Sequence, residues 1–338
     1  METIILTSKT IEQAANLIKS GQLVAFPTET VYGLGADATN DRAVQGIYQA
    51  KGRPSDNPLI SHVSSIAQVK DYAEEVPDKA IKLMEAFWPG PLTIILKKKP
   101  EGLSNTVTAG LTSASFRMPN NPLALELIEK VGKPIAGPSA NTSGRPSPTT
   151  GEHVYHDLKG KIAGILDDGP TEIGVESTVL DLTDPNSPAI LRPGAVTQEA
   201  IENVIGSIRP HEAGMDQKDA PKSPGMKYMH YTPNEPVYMV SADGLGWQKA
   251  IEEFTMKKEK IGILASQSVL NQFVDQVEAS YSLGEHDSVE EAAKHLYAGL
   301  RYFEGTESTV ILAEEFVDNQ LGLAYMNRLE KAAGFKKI

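Results

Sequence analysis

The sequence predicts an α/β protein: an N-terminal mixed sheet with helices against it, an α/β or α+β domain, followed by a small parallel α/β layer. Two observations predict the alternation of strands and helices. Short apolar, β-prone runs recur along the first two hundred residues with amphipathic helical patterns between them, and the same alternation resumes after residue 236. A third, the stretch between the two regions, is rich in Pro, Gly and charge and follows neither period.

In the first region, strands are expected at Leu23–Phe26, Leu92–Leu96, Ala114–Arg117, Pro134–Ala136, Ile162–Leu166, Ser177–Leu182 and Ala189–Arg192. Helices are expected at about Ile11–Lys19, Arg42–Ala50, Asp78–Phe87, Leu123–Val131 and Gln198–Ile205, with Asn40 and Thr197 as N-caps. Residues 1–209 form the expected N-terminal domain and 210–235 a linker. Met226, Tyr228, Met229 and Tyr231 are too apolar for a purely solvated tether, so part of the linker is expected to dock. From 236 to 338, strands at Val237–Val240, Ile261–Ala265 and Thr309–Leu312 alternate with helices at Trp247–Met256, Val289–Phe303 and Leu321–Lys331. That pattern favours a small parallel sheet.

Composition narrows the chemistry. The 338 residues contain no Cys, which excludes disulfides, thiolate metal sites and a cysteine nucleophile. The start METIILTSKT lacks a signal peptide's basic start and long apolar core, and no run approaches a membrane span, so a soluble cytoplasmic protein is expected. Net charge is −12, with −5 over residues 1–209, −1 over 210–235 and −6 over 236–338, which disfavours a broad nucleic-acid footprint. There is no GxxxxGK[ST] or GxGxxG loop, His153 and His156 lack the glutamate of HExxH, and Gly137-Pro138-Ser139 fails as a nucleophile elbow.

Polar loops at the ends of apolar strands stand out instead. Phe26–Gly35 carries two hydroxyls, a carboxylate and glycines where backbone can approach a ligand closely. Lys51-Gly52-Arg53 follows a helix, where the guanidinium can fork two hydrogen bonds onto phosphate and Lys51 adds a compact charge; a helix C-terminus also attracts cations on its own. Ser113–Pro119, Pro138–Thr149, Val175–Thr178 and Leu191–Gly194 complete the set. Arg53, Arg117, Arg145 and Arg192 all lie in loops or at strand ends, a clustering that suggests an anionic pocket in an acidic protein.

The blocks PTETVYGLG, KGRPSDNPL, SFRMP, PSANTSGRPSPT, VESTV and LRPGA resemble the signature of the YrdC/Sua5 family, over about two-thirds of the chain and in family order. SPGMKYMHYTP and the C-terminal region resemble the longer, Sua5 type, and the resemblance implies an α/β fold with an N-terminal twisted mixed sheet with helices and a concave cavity, plus a small Rossmann-like α/β C-terminal domain. The family's K-x-R and S-x-N motif is matched by Lys51, Arg53, Ser139 and Asn141. The resemblance implies an enzyme that condenses L-threonine, bicarbonate or CO2 and ATP into threonylcarbamoyl-adenylate, releasing pyrophosphate, with Mg²⁺ on the nucleotide. Partner proteins would then transfer the threonylcarbamoyl group to adenosine 37 of tRNAs reading codons that begin with A. By resemblance, Thr30, His62, Arg117, Gly137 and Ser177 form the threonine pocket. Arg53, Asn57, Ser113, Ser139, Ser147, Arg192 and Tyr231 form the ATP pocket, with Tyr231 closing over the nucleotide. Lys51 and Arg53 are the expected catalytic residues, no protein metal site is expected, and Thr108 and Asn141 stand behind the pocket. The rival reading is an RNA-binding module gripping duplex or tRNA, disfavoured by the −5 charge; a carbamoyl-transfer protein of hydrogenase maturation would need a zinc finger that zero Cys excludes.

Overall fold

The computed structural model describes residues 2–209, 231–241, 245–286, 288–316 and 321–338. The strands are β1 Ile4–Leu6, β2 Val24–Phe26, β3 Gly33–Asp37, β4 Ile60–His62, β5 Leu92–Lys97, β6 Ser113–Arg117, β7 Ile135–Ala136, β8 Gly164–Leu166, β9 Thr178–Asp181, β10 Ala189–Arg192, β11 Val237–Val240, β12 Ile261–Ala265, β13 Ala279–Ser282 and β14 Val310–Glu314. The helices are α1 Ile11–Lys19, α2 Asp41–Lys51, α3 Ile66–Tyr72, α4 Asp78–Phe87, α5 Pro122–Val131, α6 Gly151–Leu158, α7 Gln198–Ile205, α8 Leu245–Met256, α9 Gln267–Phe273, α10 Val289–Tyr302 and α11 Leu321–Ala333.

Two compact units emerge. The first holds 2–143, 148–172 and 176–209; the second holds 144–147, 173–175 and the described residues from 231 onward. The first unit is built on a ten-stranded mixed sheet in the order β1-β8-β2-β3-β7-β4-β6-β5-β9-β10. Alternation along β2 splits its core: Val24 and Phe26 join Leu6, Ile18, Leu127 and Ile135 under α1 and α5, while Ala25 joins Leu34, Val44, Ile47 and Leu83 under α2 and α4. Both faces are therefore covered, which is why the strands read as nearly continuous apolar runs.

The helix ends follow from their residues. Asn40 Oδ1 accepts from the amides of Arg42 and Ala43 at 3.1 and 3.2 Å, and Gly52, at φ 63°, closes α2 in the left-handed conformation. Thr197 caps α7 through the Ala200 amide at 3.2 Å. Gly33 and Gly35, expected from their spacing to let backbone approach a ligand, have a packing role. They belong to β3, where a Cβ at Gly33 would lie 2.8 Å from Phe26 Cζ and one at Gly35 2.7 Å from the Val24 carbonyl oxygen.

The second unit carries a parallel sheet in the order β11-β14-β12-β13. Trp247, Phe254, Leu270 and Phe273 of α8 and α9 cover one face with Ile261, Ile263, Val310 and Leu312. On the other, a Cβ at Gly262 would meet Phe303 at 2.6 Å and one at Gly299 of α10 would meet Leu264 at 2.3 Å, so a side chain at either position would displace its neighbour. Most of the expected linker, 210–230 with Met226, Tyr228 and Met229, lies outside the described residues. Among the described residues no helix is long and apolar enough to cross a membrane.

Candidate active site

The turn after β2 is held by its own hydroxyls. Thr28 Oγ1 donates to the Val31 carbonyl at 2.6 Å, accepts from the amides of Thr30 and Val31 at 3.2 Å, and lies 2.8 Å from Thr30 Oγ1. This fixes Glu29 and Thr30 against Arg117, the last residue of β6. The Arg117 guanidinium donates from Nη1 to Thr30 Oγ1 at 3.0 Å and from Nε to the Gly90 carbonyl at 3.3 Å, and its Nη2 lies 2.7 Å from Glu29 Oε2.

Parallel pairing of β4 with β6 places His62 beside Arg117 in register. The imidazole packs edge-on against Phe26, with ring centroids 5.3 Å apart. Burial first, and the Arg117 charge second, push its pKa down to about 3, so His62 is neutral at physiological pH. Gly137 follows β7 and donates its amide to the Ile60 carbonyl at 2.9 Å. A Cβ there would lie 2.8 Å from both His62 Nδ1 and Phe26 Cζ, so only glycine fits.

Ser177 precedes β9. Its hydroxyl lies 2.8 Å from Thr93 Oγ1, and its carbonyl accepts from Arg192 Nε and Nη2 at 3.1 and 2.9 Å, while Nη2 also reaches Ser177 Oγ at 3.2 Å. The turn at Gly90-Pro91 links this part to Arg117, because the Pro91 carbonyl accepts the Thr178 amide at 3.0 Å. Thr30, His62, Arg117, Gly137 and Ser177 are thus gathered at neighbouring strand ends.

The residues expected for ATP are less uniformly placed. Lys51 ends α2 buried, its ammonium donating to the carbonyls of Ser139 and Asn141, the latter at 2.6 Å, and lying 3.4 Å from Asn141 Oδ1. The K-x-R and S-x-N halves of the motif therefore meet. The 138–140 segment is bonded to β3 and the residue before it, through Leu34 N to Pro138 O at 2.7 Å and Ala140 N to Tyr32 O at 2.8 Å. Arg53 lies over the Tyr48 ring at 5.9 Å, and the Tyr48 hydroxyl donates to the Asn57 carbonyl at 2.9 Å, tying Arg53 and buried Asn57 to one side chain. Ser113 starts the strand that Arg117 ends, on the same face and about 14 Å away. It lines an open cleft of about 530 Å³ with Lys97, Thr183 and Asp184.

Ser147 and Tyr231 belong to the second unit, where both are buried and Tyr231 packs on Tyr297 with ring centroids 5.1 Å apart. Of the four arginines, Arg117 and Arg192 meet the same strand-end cluster through Thr30 and Ser177. Arg145 instead pairs with Glu304 and with Asn234 Oδ1 at 2.5 Å, within the second unit. Sequence reasoning left Glu29, Gly90, Thr93 and Gly194 without a role. A Cβ at Gly194 would stand 2.2 Å from the Thr178 amide nitrogen and 2.5 Å from the Ser177 carbonyl carbon, so this glycine lets the β10 exit lie directly against the Ser177 backbone.

Comparison with known proteins identifies the family. A family model for Sua5, YciO and YrdC proteins, described as telomere recombination, matches residues 16–194. A second, described as the threonylcarbamoyl-AMP synthase C-terminal domain, matches 196–334. The threonylcarbamoyl-AMP synthase of Bacillus subtilis is 51% identical over 97% of this chain and 94% of its own length, and that of Pyrococcus abyssi is 47% identical over 100% and 99%. A crystal structure of P. abyssi Sua5 complexed with L-threonine superposes with a TM-score of 0.92 at 45% identity, covering 100% of this chain and 99% of the other. The chain belongs to the threonylcarbamoyl-AMP synthase family, in its longer Sua5 form.

Proposed function

We propose that the protein condenses L-threonine, bicarbonate or CO2 and ATP into threonylcarbamoyl-adenylate and pyrophosphate. The observation that carries this reading is the buried cluster of Thr30, His62, Arg117, Gly137 and Ser177 in a chain matching P. abyssi Sua5, which is described in complex with L-threonine, over its whole length.

In this reading the threonine amine, after losing a proton, attacks the bicarbonate carbon. The N–C bond forms, hydroxide leaves with a second amine proton as water, and a carbamate results. A carbamate oxygen then attacks the α-phosphorus, the α–β anhydride bond breaks, and pyrophosphate leaves. Positioning, charge neutralisation and exclusion of water account for most of what the protein must contribute. Arg117 offers Nη2 to the α-carboxylate, already steadied by Thr30 and the Gly90 carbonyl. Neutral His62 takes part as a hydrogen-bonding group without adding charge. Ser177, braced by Arg192, serves the substrate's polar groups, and Gly137 leaves its carbonyl for the substrate because its amide is taken by Ile60.

Arg53, Asn57, Ser113, Ser139, Ser147, Arg192 and Tyr231 are the proposed nucleotide contacts, and Lys51 acts by shaping the 139–141 loop. Mg²⁺ is proposed as an ion carried by the polyphosphate. Among the described residues no group of three or more His, Asp or Glu gathers to hold a metal. The proposed setting is the cytoplasm, with the adenylate passed to tRNA threonylcarbamoyl-transferase proteins and at most weak direct tRNA contact. The RNA-module reading is not favoured, because relatives along the full length carry the synthase name.

Pyrophosphate release tests the reading directly. It should require ATP, Mg²⁺, threonine and bicarbonate together, and release that persists without threonine would refute it. A gel shift with bare tRNA should show little binding at moderate salt.

A further inference from the structure

Glu29 has no place in the scheme above, yet its situation is unusual. Its exposure is 3% and that of Arg117 is 4%, and the two side chains approach to 2.7 Å between Oε2 and Nη2. A carboxylate whose task was only to hold an arginine would form the forked, two-bond pair that suits both planar groups. Here the approach falls outside hydrogen-bond geometry. Among the described residues, both Glu29 oxygens and Arg117 Nη2 lack hydrogen-bond partners, and His62 Nδ1 beside them does too. A buried charge without hydrogen bonds is costly unless something else satisfies it. The rest of Arg117 is pinned by Thr30 and Gly90, and Glu29 by the Thr28 turn, so neither can swing away to find a partner.

The result is one positive and one negative group, adjacent, buried and with unused hydrogen-bonding capacity. An α-amino acid carries the complementary pair: an anionic carboxylate and a cationic ammonium on the same carbon. We infer that Glu29 binds the α-ammonium of the substrate amino acid while Arg117 takes its carboxylate, the two forming one receptor for the zwitterion. This rests on the function proposed above and deepens it, because the nitrogen that Glu29 would hold is the atom that must attack bicarbonate. Glu29 would then fix the direction of the nucleophile and set the preference for an amino acid over the corresponding hydroxy acid.

The test compares two ligands on the full-length protein by calorimetry: L-threonine and the 2,3-dihydroxybutanoate of matching stereochemistry, which has a hydroxyl in place of the ammonium. Glu29→Gln keeps the shape and removes the charge. The expected result is that the wild type prefers threonine and that the variant's preference, as a ratio of dissociation constants, falls at least fivefold. A smaller fall, including an equal weakening of both ligands, would mean that Glu29 acts only on Arg117, and would overturn the inference. If thermal melting shows Glu29→Gln unfolded, Glu29→Asp, which withdraws the charge by one methylene, is judged by the same ratio. Failure of the wild type to bind threonine at all would instead count against the function.

Discussion

At His62 the protonation equilibrium links site and stability. The unfolded chain protonates this residue near its ordinary value of about 6.5, whereas the folded protein holds it neutral down to about 3. The unfolded state therefore binds the extra proton between those values, and stability is complete above pH 6.5 and falls as the pH drops toward 3. The loss attributable to His62 should approach about 1.4 kcal/mol per pH unit within that window. Urea denaturation at pH 7 and pH 4.5 should show the wild type losing more stability than His62→Gln does. Its neighbour gives a second expectation. Gly137→Ala places a methyl against His62 Nδ1 and Phe26, both buried, and should cost about 1–3 kcal/mol and weaken threonine binding, measured by melting and calorimetry. The residue types of the threonine pocket were legible as polar side chains ending apolar runs. Glu29 was visible only as one carboxylate in a turn, because its ion pair joins positions 88 apart and no local pattern reports such a contact.

Among the elements, long amphipathic helices were the most legible: α1, α4 and α7 have the bounds their periodicity predicts, and α2 and α5 differ by a residue or so. β3 and β4 were not. β3 begins Gly-Leu-Gly, which reads as a loop until Phe26 is known to fill the space above it. β4 is three residues long and sits just after Pro58, yet its pairing with β6 is what brings His62 to Arg117. α9 and β13 were missed as well, being short and only partly apolar. The junction of α2 with the 139–141 loop offers a test at this scale. Lys51→Met keeps the unbranched stem to within one atom and removes every side-chain donor, so the Ser139 and Asn141 carbonyls lose their bonds to the ammonium. It should destabilise by about 1–3 kcal/mol. Calorimetry should show nucleotide affinity falling more than threonine affinity, since the displaced loop carries Ser139.

For the whole molecule, sequence reasoning separated an N-terminal region, 1–209, from a C-terminal one, 236–338, whereas the two family matches run over 16–194 and 196–334. It did not foresee that 144–147 and 173–175 cluster with the second unit. There Arg301 donates to the Pro146 carbonyl from Nη2 at 2.6 Å and from Nε at 3.2 Å, and Val175 packs with Ala293 and Ala324. Such contacts join positions far apart in the chain, which composition and periodicity do not register. A protein ending at Arg209 would lack the partners of Arg145 and Pro146. It should fold, since the ten-stranded sheet is intact, but its Arg145, having lost Glu304 and Asn234, should be modified by phenylglyoxal much faster than in the full chain, as mapped by mass spectrometry; equal reactivity would contradict this. It should also make little adenylate, or make it with more uncoupled ATP hydrolysis.

The Arg301–Pro146 bond spans 155 positions. At about 5–20 residues per second, the ribosome delivers Pro146 roughly 8–30 s before its arginine exists. Once residue 192 has been added, the nascent chain holds all ten strands of the first sheet and, until Arg301 follows, an unfinished loop bearing Arg145 and Pro146. That loop is the part of the newborn protein on which proteases and chaperones would act longest, and the last helices made are the ones that withdraw it from them.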